Sequence, residues 1–290
     1  MTKIKFIAFI LFTALITSCS SDENNSDNAS TVGSFDFVYN NETKKISSWE
    51  AIKMDDFIEV SGQTTDGIGI DFKFNTYGNL FQGFTHGVSA LSTVPMHEVS
   101  EIFTANTFTF TIIELNTANK TVKVKFSGKL YDDGYDFESN YITNPSNFIT
   151  VSGAFDVSYS NLIPNIAGLG TFAKIDGKDW HAMSFGSTTS LSQTILNVEN
   201  DGEYNLGIVF PRGDLKTGTF PFSSNNFANR ISVEKFDLAT HEFIDYNVAG
   251  TVTYTTVNDY YVEGTFSLVA THPVNGSKIV ITEGKFKEGR

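Results

Sequence analysis

The chain has 290 residues, with 20 Lys and Arg against 33 Asp and Glu and a formal net charge of −13. Acidity on this scale argues against nucleic acid and anionic lipid head groups as partners, because both are gripped through basic patches. A single cysteine rules out an intramolecular disulfide, so stability must come from apolar cores, and the length is enough for two.

Lys3 and Lys5 precede an apolar run over residues 6–16. The run is shorter than the roughly 20 residues a membrane-spanning helix needs. Basic residues ahead of a short apolar stretch read as a removable secretion signal. Ile16-Thr17-Ser18-Cys19 supplies the aliphatic, small, small, Cys order that resembles a bacterial lipobox. Residues 1–18 are therefore expected to be a lipoprotein signal, with Cys19 lipidated and holding the protein to the outer membrane. Several acyl chains anchor firmly, since each buried CH₂ contributes about 0.8 kcal/mol. Loss of the signal removes two lysines and no acid, leaving 18 basic against 33 acidic residues, or −15. Residues 20–31 carry no large apolar side chain and cannot offset their ordering entropy, so 19–30 reads as an acidic flexible tether. Asp22-Glu23, just behind the anchor, resembles the acidic surface-export signal of Bacteroidota lipoproteins.

Beyond the tether the signal is all-β. A hairpin is expected from Phe35 to Tyr39 with its turn at Asn40-Asn41, and Trp49-Glu50-Ala51 follows. Ile68, Ile70, Phe72 and Phe74 alternate with Gly69, Asp71 and Lys73; Val122, Val124 and Phe126 alternate with Lys123 and Lys125. Period two places one face in a core and the other in water. A short helix is expected from Pro95 towards Phe103, capped by Ser92 or Thr93. His97-Glu98-Val99-Ser100-Glu101 begins like a zinc-protease motif but ends in Glu, and His241-Glu242-Phe243-Ile244-Asp245 fails in the same way. Both read as solvated loops.

The stretch from Tyr131 to Tyr141 is the one candidate binding segment. Tyr131, Tyr135, Phe137 and Tyr141 are interleaved with polar residues, and exposed rings on a β-scaffold can stack on sugars. Asp132, Asp133, Asp136 and Glu138 surround Gly134, an oxygen-rich set of the kind Ca²⁺ takes, though without EF-hand spacing. The plainer account is a solvated hairpin tip, and no cofactor or metal is expected.

Residues 161–170 read as a linker, and then the pattern repeats. A second hairpin runs from Phe172 to Ile175 and turns at Asp176-Gly177, a pair suited to a type I′ turn. Trp180-His181-Ala182 echoes Trp49-Glu50-Ala51 at an offset of 131, as Gly284-Lys285-Phe286 echoes Gly153-Ala154-Phe155. Val262-Glu263-Gly264-Thr265-Phe266 echoes Phe126-Ser127-Gly128-Lys129-Leu130 at 136. Both tryptophans are expected to be equivalent core anchors. The chain thus reads as two tandem antiparallel β-sandwich or small barrel-like domains, 31–160 and 171–290, behind a lipidated tether.

Phe172-Ala173-Lys174-Ile175-Asp176-Gly177-Lys178-Asp179-Trp180-His181-Ala182, Gly218-Thr219-Phe220-Pro221-Phe222 and the closing Gly284-Lys285-Phe286 resemble a domain-of-unknown-function family of Bacteroidota lipoproteins. The resemblance covers about 171–287; the first copy departs from it, with Asn-Asn in place of Asp-Gly. It implies an exported all-β protein and carries no catalytic residues. The expected function is a non-enzymatic binding or accessory module on the cell surface, taking a glycan or a protein ligand. The alternatives are an envelope hydrolase using a carboxylate pair, and a structural spacer.

Overall fold

The computed structural model describes residues 33–290, apart from 90–91, 100–106, 133–145, 201, 214, 224–227, 238 and 241. Residues Val32–Arg290 form one compact unit. The first ten strands are β1 (Ser34–Tyr39), β2 (Glu42–Met54), β3 (Phe57–Thr64), β4 (Ile68–Asn75), β5 (Leu80–Gly87), β6 (His97–Glu98), β7 (Phe108–Asn116), β8 (Thr121–Asp132), β9 (Phe148–Ser158) and β10 (Ser160–Asn161). The second ten are β11 (Gly170–Ile175), β12 (Lys178–Thr189), β13 (Gln193–Glu199), β14 (Tyr204–Pro211), β15 (Gly218–Phe222), β16 (Arg230–Asp237), β17 (Glu242–Asp245), β18 (Asn247–Val257), β19 (Tyr261–Thr271) and β20 (Lys278–Gly289).

Each set forms one sheet. The first runs β1-β9-β8-β6-β5-β4-β3-β2 and closes into an eight-stranded barrel through the β1–β2 pair. The second runs β15-β18-β19-β20-β11-β12-β13-β14-β16-β17 and stays open, a half-barrel. The expectation of two β-sandwich or barrel-like units is met. Their connections match: β11 to β14 and β16 repeat β1 to β5, and β18 to β20 repeat β7 to β9. In both, the last long strand returns beside the first.

Local chemistry sets the hairpins. Asn40 and Asn41 have φ of 49° and 67°, and Asp176 and Gly177 have 49° and 79°. These are left-handed values that Asn, Asp and Gly tolerate and that tight hairpins need. Two expected equivalences are corrected. Trp180 pairs with Ala173 on β11, whereas Trp49 lies beyond β1 and pairs with Gly62 on β3. Trp180 is buried; Trp49 is only partly buried against the first core. Likewise Phe266, not Val262, is the counterpart of Phe126. Phe126 faces Gly153 and Phe266 faces Gly284 across the ladder. In each case a Cβ on the glycine would stand 2.7 Å from the ring. Alanine at Gly153 or Gly284 would also press on a backbone oxygen, at 2.1 Å from Asp36 O or 2.6 Å from Phe266 O. Each substitution is expected to cost about 2 kcal/mol, read as a drop in the urea midpoint.

The start of the expected helix at Pro95 is corrected as well. Residues 95–96 are in neither helix nor strand, and β6 at His97–Glu98 pairs with β5 and β8. Two ladder partners on either side hold this stretch extended; 100–106 lie outside the described residues. The half-wet picture of β4 fails too. All its residues are buried except Lys73, because His86 lies over Gly69 and Asp71 is covered between Ser61 and His86.

Candidate functional site

Much of the sequence-derived candidate segment falls outside the described residues: Asp133, Tyr135, Asp136, Phe137, Glu138 and Tyr141, together with Cys19, Asp22 and Glu23. Two of its residues are described. Tyr131 is 2% exposed, with its ring 5.9 Å from Phe148, so it is a packed ring and not an exposed stacking platform. Asp132 accepts a 2.7 Å hydrogen bond from Asn147 Nδ2. Among the described residues, no group of three or more His, Cys, Asp or Glu is placed to hold a metal ion. His97 is buried in β6 and not in a solvated loop. Residues Glu242–Asp245 form β17, so they are not helical; His241 lies outside the described residues.

One serine–aspartate–histidine set occurs in the first barrel. Ser61 Oγ donates to Asp71 Oδ1, and His86 Nε2 meets Asp71 Oδ2 at 2.6 Å. His86 Nδ1 meets the Gly87 carbonyl at 3.0 Å. Both ring nitrogens face acceptors, which favours imidazolium, and the Asp71 hydrogen bond raises the His86 pKa. A nucleophilic triad needs the imidazole between the hydroxyl and the carboxylate. Here the carboxylate sits in the middle, so Ser61 is hydrogen-bonded to Asp71 and not to the imidazole.

The most developed site lies where the two sheets meet. Phe57 and Phe81 of the first sheet belong to the core cluster of the second, with ring centroids 5.0 Å apart. Both approach His181 of β12, which is 2% exposed and stacks on Phe172 at 3.8 Å and 10°. Asn75 Nδ2 contacts His181 Nδ1 at 2.8 Å, a buried hydrogen bond joining the sheets across 106 residues of sequence.

Beside this seam opens a cleft of about 450 Å³. The first sheet contributes Leu80, Phe108 and Phe110; the second contributes Ile175, Trp180 and Tyr204. Asp176, Asp179, Glu203 and Lys178 add charge at its wall. Asp176 is fixed by Val280, whose N–H it accepts through Oδ1 at 2.8 Å while its own N–H donates to Val280 O at 2.9 Å. Glu203 pairs with Lys235 at 3.5 Å, and Lys235 lies 5.3 Å above the Tyr204 ring. Asn200 braces the adjoining turn, donating to His181 O at 2.9 Å and accepting from Gly202 N at 2.8 Å. Buried Trp180 borders the cleft, and its indole N–H has no partner among the described residues. An apolar lining with a few polar groups at its wall is the usual make-up of a ligand site. The residues Asp176 to Trp180 are prominent in the sequence as a turn and a core tryptophan; their meeting with the β4–β5 turn and β7 has no local signature.

Comparison of the chain with protein-family models, with curated proteins and with solved structures finds no match.

Proposed function

We propose that the chain is an outer-membrane lipoprotein facing the cell exterior, and a non-catalytic binding or accessory module whose glycan or protein ligand sits in the cleft between the two sheets. The observation that carries the reading is the cleft itself, where rings from both sheets meet three carboxylates. Its place at a junction is where ligand sites commonly form. The lipobox-like Ile16 to Cys19, the acidic Asp22-Glu23 and the likeness of 171–287 to Bacteroidota lipoproteins support the location. The three carboxylates favour a second reading, a glycoside hydrolase, which needs two acids about 5–10 Å apart; release of reducing sugar from a bound glycan separates it from binding alone.

Protease shaving of intact cells tests the location. Tagged wild-type protein is expected to lose its signal, and the Asp22→Ala/Glu23→Ala variant to be protected. Protection of both overturns surface exposure.

A further inference from the structure

The contact between Asn75 and His181 has only one workable proton arrangement. Asn75 Oδ1 accepts the backbone N–H groups of Tyr77 and Asn79, each at 2.9 Å. That fixes the amide, so Nδ2 faces outward and donates to Asn79 Oδ1 at 3.1 Å and to His181 Nδ1 at 2.8 Å. His181 Nδ1 must therefore be an acceptor, the imidazole must be neutral, and its proton must sit on Nε2. The Nε2 atom is buried against Gly170, with no hydrogen-bond partner among the described residues.

Protonation at Nδ1 sets two N–H donors against each other in a dry seam, where an unpaired charge is costly. Among the described residues, the charged or titratable groups facing the ring are few. From β20, Lys285 lies 4.7 Å over the stacked Phe172 ring and opposes a second positive charge. From the β4–β5 turn, Tyr77 presents its ring edge-on at 5.1 Å. From β3, β5 and β11, Phe57, Phe81 and Phe172 bring no charge. Burial and Lys285 push the His181 pKa down to about 4, so the neutral latch holds through the mildly acidic range.

We infer that the Asn75–His181 contact is an acid-sensitive latch, and that protonating His181 undocks the two sheets and opens the cleft between them. The effect on a bound ligand rests on the proposed function; the undocking does not.

The test is energy transfer in the full-length protein, with dyes on Ala118→Cys and Leu191→Cys in a Cys19→Ser background. Both positions are on exposed turns, one in each half. Nanomolar concentration avoids association near the isoelectric point of about 4.7. Transfer is expected to stay constant from neutral pH downward and then change with a midpoint near pH 4, while near-UV circular dichroism is lost only in part, since the rings inside the first barrel stay packed. His181→Phe keeps the stack and has nothing to protonate, so the change should vanish. Asn75→Asp keeps the Oδ1 contacts and offers an acceptor to the imidazolium, so the midpoint should move to lower pH. A wild type that shows no change, a His181→Phe protein that changes alongside it, or complete loss of near-UV signal at the same midpoint would each overturn the latch. None of these readouts needs a ligand, so failure of the latch is distinct from failure of the binding reading.

Discussion

Phe72→Ala is expected to destabilise the protein by about 3–5 kcal/mol, the range for deleting a fully buried phenylalanine. Phe72 is 2% exposed and is the hub of the first barrel. Its ring lies 4.7 Å from Phe126, 5.4 Å from Phe110, 6.0 Å from Phe155 and 6.4 Å from Phe108. Those four partners come from β7, β8 and β9, while Phe72 sits on β4 across the barrel. A closed barrel of paired strands has little freedom to collapse onto the hole, so the cavity cost should be near the upper end. Urea unfolding followed by tryptophan fluorescence reads it. Phe110→Ala, at a partly buried ring of the same cluster, should cost visibly less.

Glu288→Gln is expected to stabilise the protein at pH 8 by up to about 3 kcal/mol, taking 1.36 kcal/mol per pH unit of displaced titration. Glu288 is 1% exposed. Thr171 Oγ1 meets Oε1 at 2.6 Å and Ser184 N donates to Oε2 at 2.9 Å. Burial outweighs both and pushes its pKa up from 4.5 to about 7. Between those values the folded state holds a proton that the unfolded state has released, so stability falls as pH rises through the window. Glutamine satisfies both partners with its amide and never ionises. His181 works in the opposite sense: its folded pKa is lowered to about 4 from 6.5, so its contribution is full above 6.5 and is lost as pH falls towards 4. The two slopes offset each other in the wild type from about pH 4.5 to 6.5. In Glu288→Gln one opposing slope is removed, and chemical denaturation at three pH values across that window should reveal stability rising with pH more steeply than in the wild type, with buried Glu234, whose pKa is also raised, still opposing His181.

The hairpin turns and strand alternation were legible because they are local. Asn40-Asn41 and Asp176-Gly177 announce their backbone angles, and β8 keeps Val122, Val124 and Phe126 in while Lys123 and Lys125 face out. The all-β class followed from that pattern. The repeat was legible as connectivity but not as residue offsets. The hairpin turns are 136 residues apart, so a tryptophan recurring at 131 cannot occupy the same ladder position. Helix signals around Pro95 lost to pairing with β5 and β8, which only the closed barrel supplies. The cleft was not legible at all. Phe108 and Trp180 lie on different sheets, and nothing in either neighbourhood marks the other as a partner. The rings of the Tyr131 segment are conspicuous in the sequence, yet Tyr131 itself is buried against Phe148.

The most direct test of the binding cleft is a screen of full-length protein on glycan arrays and by pull-down from outer membranes, with Asp179→Ala/Glu203→Ala beside the wild type. Both acids line the cleft, and Asp179 is exposed, so the fold should hold within about 0.5 kcal/mol per site. The expected result is a ligand captured by the wild type and bound at least about tenfold more weakly by the variant, the loss of one or two charge-assisted hydrogen bonds. Equal binding by the two proteins, or no ligand for a folded wild type in either screen, would contradict a binding site in the cleft.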